Sequence, residues 1–295
     1  MDQAEQLRNI IKAGNVKRSR PLARVITVTS GKGGVGKSNT AINLAIQFRK
    51  MGKKVVILDA DFGLANIEIM FGAVPKHNLS DLIYQGKNIK DIITWGPMEV
   101  GFISGGSGIT GLSNLSKDYL TYIVHNLAEL DTIADGIIVD TGAGISDAVL
   151  EFLVASGEIL LVTTPEPTSI TDSYSLLKAL NGHPGLERDN TQICMIANRV
   201  SAANEGEVLF QKLDVVVSRY LKLPITYLGA VPQDPLLAKA VMQQLPVSLQ
   251  NPQARSAQAY EEIAAKLMKQ DEGQNTQKRG VAAFFSHIIG KRNNG

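Results

Sequence analysis

Residues Gly31-Lys32-Gly33-Gly34-Val35-Gly36-Lys37-Ser38 decide how the rest of this chain reads. They follow Val25-Ile26-Thr27-Val28-Thr29, rich in β-branched residues, and precede Ala41-Ile42-Asn43-Leu44-Ala45-Ile46, where apolar residues recur at helical spacing. Strand, loop and helix in that order match G-x-x-x-x-G-K-S, the pattern of a phosphate-binding loop. The glycines let the backbone turn sharply and point successive N–H groups inward, so phosphate oxygens meet donors backed by a helix N-terminus. Gly33, Gly34, Val35, Gly36 and the adjoining Asn39 make up this cradle. Lys37 is expected to reach the β and γ phosphates and Ser38 to ligate Mg²⁺. A second lysine, Lys32, sits at the outer edge of the loop. It is poorly placed to fold back onto phosphates held by its own loop and better placed to reach another subunit.

The chain has 295 residues, 44% hydrophobic and 20% charged, which suits one large α/β domain with short appendages. No apolar run is long enough to span a bilayer and the N-terminus has no signal-peptide architecture, so the expected location is cytoplasmic. The only cysteine, Cys194, lies in the apolar run Ile193-Cys194-Met195-Ile196-Ala197 and reads as a buried strand residue. One cysteine does not hold an iron–sulfur cluster. The four histidines are scattered and give no metal-ligand spacing. The net charge of +2 hides an asymmetry: residues 1–24 carry six basic residues against two acids, and residues 278–295 carry four basic residues and no acid. Anionic partners should therefore be met by the termini.

Three further segments carry chemistry. Val55-Val56-Ile57-Leu58-Asp59 and Gly136-Ile137-Ile138-Val139-Asp140 read as buried strands ending in aspartate, the second with the Walker B pattern, and Asp61 opens the loop after the first. Gln192–Arg199 reads as another strand, as do Ile92–Trp95, Val100–Ser104, Ile159–Pro165 and the stretch from Ile225; residues 116–133 and 252–270 read as helices. At the C-terminus Val281, Phe284, Phe285, Ile288 and Ile289 fall on one stripe of a helix, with Lys278 and Arg279 before and Lys291 and Arg292 after. That is the pattern of an interfacial membrane anchor, with a last helix docked on the core as the competing reading. At the other end Asp2–Lys12 predicts a short helix with Ala4, Leu7, Ile10 and Ile11 on one face, joined by a basic linker.

The string Lys32–Ser38, KGGVGKS, resembles the deviant Walker A signature of the MinD/ParA family of dimerising ATPases. The resemblance spans nearly the whole chain. It implies a doubly wound, mainly parallel α/β sheet flanked by helices over residues 24–270, binding ATP or ADP with Mg²⁺. It implies weak, dimer-dependent hydrolysis in which Lys32 neutralises the γ-phosphate of the partner subunit. Asp61 would orient the attacking water and sit near Mg²⁺, Asp140 would hold an Mg²⁺-bound water, and the Gly144 amide would sense the γ-phosphate. Asn198 and Arg199 match the family's base-reading pair, and Pro232, Gln233 and Asp234 its adenine-closing loop. The family usually has proline where this chain has Gly142.

The N-terminal string DQAEQLR is similar to the activator segment of the flagellar FlhG (YlxH) branch of that family, with Asp2, Gln3, Ala4, Leu7 and Arg8 carried over. That implies stimulation of an FlhF-type GTPase, contact with flagellar switch (C-ring) proteins, control of flagellar number or placement, and peripheral attachment to an anionic membrane through residues 271–295. No sequence-specific nucleic acid is expected. The alternatives are a MinD-type division-site regulator, a ParA-type ATPase that positions DNA or cargo, and an assembly adaptor in which hydrolysis is minor.

Overall fold

The computed structural model describes residues 22–61, 66–106, 117–273 and 280–291, and their side chains apart from those of 117–121, 271–273 and 289–291. Among these residues the strands are β1 (Arg24–Thr29), β2 (Val55–Ala60), β3 (Thr94–Trp95), β4 (Gly101–Ser104), β5 (Gly136–Thr141), β6 (Glu158–Thr163), β7 (Gln192–Val200) and β8 (Thr226–Pro232). They form one sheet in the order β3-β4-β2-β5-β1-β6-β7-β8. Every pairing is parallel except β3 with β4. This is the expected doubly wound α/β architecture, whose crossover helices cover both faces.

Alternation along the strands assigns those faces. Ile26, Val28, Val55 and Ile57 point into a core shared with the helix Lys37–Lys50 and the helix Arg255–Gly273. Val25, Val56 and Leu58 point the other way, toward the short helices of residues 79–92 and the helix Lys117–Ala128. On the same side, β6 and β7 pack against the helices Pro167–Gly182 and Glu205–Tyr220.

The predicted strand Ile92–Trp95 is corrected. Ile89 and Ile92, three residues apart and both buried, form one face of a short helix, Ile89–Ile92, and only Thr94–Trp95 pairs, antiparallel at the sheet edge. The helix predicted over 116–133 is divided into Lys117–Ala128 and Leu130–Ile133.

The C-terminal helix Val281–Lys291 lies on the core. Val281, Phe284, Phe285 and Ile288 are all buried, against Val25, Ile123, Leu127 and Phe152 among others. The Phe284 ring lies 5.9 Å from Phe152 and 5.2 Å, edge-on, from Phe285. The Ile289 side chain and the N-terminal residues Asp2, Gln3, Ala4, Leu7 and Arg8 lie outside the described residues. Among the described residues no helix is long and apolar enough to cross a membrane.

Candidate nucleotide-binding site

Parallel pairing puts the C-terminal ends of β1, β2, β5, β6, β7 and β8 along one edge of the sheet, where open α/β sheets bind ligands. The glycine-rich loop leaves β1 there and enters the helix Lys37–Lys50 through Gly36, at φ 100°. Gly36 has no side chain to cap the helix and the first turn holds no acid, so its orphan N–H groups face the edge. Gly34 also has positive φ, 74°. A Cβ on Gly31 would run into the Asp172 carbonyl, and one on Gly36 into the side-chain nitrogen of Asn198. Glycine is fixed at Gly31 by close approach alone, and at Gly36 by close approach as much as by dihedral angle.

Asn198 supports the loop from below. Its Nδ2 donates to the Val35 carbonyl at 2.7 Å and its Oδ1 accepts from the Arg199 amide at 2.9 Å, and the side chain is buried. Arg199 follows at an irregularity of the β7–β8 pairing, where Asn198 is registered with Val231 and Val200 with Pro232. Its φ is 58°, outside the range most side chains accept, and its Nη2 donates to the Gly34 carbonyl at 2.7 Å. Asn198 and Arg199, predicted to read a base, thus hold two successive carbonyls of the loop, those of Val35 and Gly34.

Three carboxylates converge beside the loop. Asp59 and Asp140 are registered partners on β2 and β5. Asp59 accepts from the amides of Asp61 at 3.2 Å and Ile67 at 3.3 Å, which holds the segment after β2. Its carboxyl is pushed up to about 7, chiefly by burial and then by the Asp140 charge. Asp61 receives the Asn66 side-chain amide at 3.1 Å. A Cβ on Gly142 would come within 3.3 Å of an Asp61 oxygen, so the small residue leaves room for this carboxylate. Asp140 is fully buried and neither carboxylate oxygen has a hydrogen-bond partner within bonding geometry. Burial pushes its carboxyl up to about 6, while the Ser38 hydroxyl and the Lys37 ammonium pull it down. A buried carboxylate with two open oxygens next to a hydroxyl and an ammonium suits a hydrated divalent cation better than a closed structural contact. Ser38 and Asp140 would hold Mg²⁺ there. Among the described residues no group of three or more acidic, histidine or cysteine side chains forms a cation cage.

Lys32 points away from its own cradle. Its Nζ donates to Glu166 Oε2 at 2.8 Å and to Thr168 Oγ1 at 2.8 Å, and the pair remains open to solvent. The Lys32 ammonium holds the Glu166 carboxyl below its ordinary range. Glu166 and Thr168 were not singled out in the sequence; the only signal was their position just after the Ile159–Pro165 strand. The Gly144 amide donates to the Ser30 carbonyl at 3.0 Å, so here it closes the loop after β5 onto β1. Gln233 donates its amide to the Val200 carbonyl at 2.9 Å, next to Pro232 at the end of β8. Asp234 caps the helix Pro235–Met242 through the Leu236 amide at 2.9 Å and binds the Ser256 amide and hydroxyl at 3.0 and 2.8 Å. Its oxygens are therefore engaged in joining two helix starts.

A ParA family model described as the NUBPL iron-transfer P-loop NTPase matches residues 21–268. The antiactivator FleN of Pseudomonas aeruginosa is 38% identical over 83% of this chain and 86% of its own length. The flagellum site-determining protein YlxH of Helicobacter pylori is 32% identical over 98% of both chains. Among solved structures, the septum site-determining protein MinD of Pyrococcus horikoshii, complexed with Mg-ADP, superposes with a TM-score of 0.66 at 23% identity, covering 85% of this chain and 98% of its own.

Proposed function

We propose, from the premise that this chain belongs to the ParA family of P-loop NTPases, that it is an ATP-hydrolysing switch controlling the number or placement of flagella. One observation carries the ATPase reading: a phosphate cradle stands beside a buried Asp140 carboxylate that faces the Ser38 hydroxyl and the Lys37 ammonium. The flagellar reading rests on FleN and YlxH, whose own roles come to this chain by similarity over most of its length.

In the proposed mechanism the amides of Gly33–Asn39 and the Lys37 ammonium bind the phosphates of ATP. Ser38 and Asp140 would hold Mg²⁺, whose charge would offset that of the phosphate oxygens. Asp61, held by Asn66, orients the attacking water, and positioning is its contribution. Lys32 leaves Glu166 and Thr168 and meets the γ-phosphate of a second subunit, so turnover requires a dimer. Gly144 exchanges its bond to Ser30 for the γ-phosphate, and Asn198, Arg199, Pro232, Gln233 and Asp234 border the base. In the ATP-bound dimer the C-terminal helix leaves the core and enters an anionic membrane surface, where two copies bind with avidity. Residues 2–8 stimulate an FlhF-type GTPase, and the assembly meets flagellar switch proteins at the cytoplasmic face.

Sizing of the Asp61→Ala variant in ATP and Mg²⁺ tests this reading, with a dimer expected and single subunits expected once Lys32→Ala is added. Single subunits in both would overturn it. Deleting residues 2–8 should abolish stimulation of an FlhF-type GTPase without altering ATP binding; unchanged stimulation removes the flagellar partner from the account.

A further inference from the structure

Asp131 stands on the short helix Leu130–Ile133, far from the nucleotide edge, and is almost completely buried. Its Oδ1 accepts two backbone N–H groups from opposite ends of the chain. One is that of Ala23, at 3.1 Å, just before β1; the other is that of Val281, also at 3.1 Å, the first residue of the C-terminal helix. Gly280 packs into the same corner, where a Cβ would lie 2.9 Å from Leu22 Cδ1 and 3.1 Å from Asp131 Oδ2.

Each donor depends on this oxygen. The N–H of the first helical residue has no partner inside its helix, and a negative charge at a helix N-terminus is favourable. Ala23 precedes the β1 ladder, in which Arg24 is the first residue to pair. The buried carboxylate in turn needs donors, because an unsatisfied charged acceptor is costly. Lifting the helix breaks one of the two bonds, opens the corner to water and removes the surface against which Leu22 packs. Freeing Leu22 and Ala23 does the same to the helix.

We infer that Asp131 is a clasp joining the root of the N-terminal arm to the start of the C-terminal helix, so that the two ends of the chain are released together. The functional half of this inference rests on the reading above, in which one end binds a membrane and the other a GTPase. Coupling between sites is reciprocal. Membrane capture of the helix therefore loosens the arm root, and a partner that binds the arm more tightly when its root is free raises the population of released helix by the same factor.

Amide hydrogen exchange of the full-length protein tests the clasp without a membrane. Leu22→Gly, which leaves the carboxylate and the helix sequence intact, should raise exchange at residues 281–288 about five- to tenfold, the scale of one lost hydrogen bond. Phe285→Glu should raise exchange at Ala23 by a similar factor, and Asp131→Asn at both places. Protection of Leu160–Val162 in β6 should stay unchanged, which separates local release from unfolding. Unaltered exchange at 281–288 in Leu22→Gly, or at Ala23 in Phe285→Glu, overturns the clasp, and these two variants decide the matter should Asp131→Asn fail to fold. Vesicles containing anionic lipid, added to the same variants, separate the two levels. Reciprocal exchange with no vesicle binding in any variant supports the clasp and refutes the membrane reading, whereas vesicle binding with no reciprocal exchange refutes the clasp alone.

Discussion

Replacing Gly36 by alanine is expected to damage the loop through Asn198, and the damage should be partly relieved by removing Asn198 itself. At φ 100° a side chain costs about 1–2 kcal/mol of backbone strain. The new methyl would also displace the Asn198 amide, which donates to the Val35 carbonyl at 2.7 Å in a buried setting. A buried donor and acceptor left apart add about 1–3 kcal/mol, so Gly36→Ala should lose about 2–5 kcal/mol in total. Asn198→Ala, which strands the Val35 carbonyl and the Arg199 amide, should cost about 2–4 kcal/mol even without nucleotide. In the double variant the methyl meets empty space and only the strain is added. A coupling energy of about 1–3 kcal/mol, with the pair less destabilised than the sum, should emerge from urea unfolding of the four proteins without nucleotide. Additive losses, or an Asn198→Ala protein as stable as the parent, would refute the view that this side chain is a strut of the loop.

Lys32→Ala should leave the unfolding midpoint and the ATP affinity of single subunits unchanged, because the ion pair with Glu166 is exposed, while turnover falls about 10³-fold. A loss of affinity in place of turnover would assign Lys32 to its own subunit. Asp59 makes the nucleotide-free protein sensitive to pH. Its folded pKa of about 7 lies above the ordinary 3.8, so the native state retains a proton that the unfolded chain has lost, and stability falls as pH rises from about 4 to 7 and then levels. The fall from this group is on the order of 2–4 kcal/mol, and urea midpoints of Asp59→Asn between pH 5 and 8 should show it diminished. Asp234→Ala should cost about 2–3 kcal/mol by uncapping the helix Pro235–Met242 and freeing Ser256, measured again by urea. ATP affinity should fall as well, because Asp234 borders the base in the proposed mechanism, and an unchanged affinity would confine Asp234 to the junction of the two helix starts.

The loop, the two aspartate-ended strands and the doubly wound sheet were legible because each rests on a local pattern: glycine spacing, a β-branched run, a terminal carboxylate. The stripe of Val281, Phe284, Phe285 and Ile288 was equally plain. What surrounds each group was not. Asn198 supports Val35 across 163 residues and Lys32 meets Glu166 across 134, and no periodicity reports contacts of that range. The role of Asp131 was invisible for the same reason: it accepts backbone amides from residues 23 and 281, and sequence spacing does not reveal which backbone amides lack a partner. Ile92 misled because a β-branched pair followed by Thr94-Trp95 looks like a strand, while the tertiary structure buries Ile89 and Ile92 on one helical face.

Strand order also dictates when this molecule can mature on the ribosome. β1 lies between β5 and β6, so the segment that carries the cradle has neither neighbour until residues 136–163 have been synthesised. At typical elongation speeds that interval is on the order of ten seconds, during which an apolar run with two bare edges emerges into the cell. The prop supplied by Asn198 arrives later still. Nucleotide is therefore expected to be a ligand of the finished chain, since the strands that flank the cradle and the side chain that props it are all made after it.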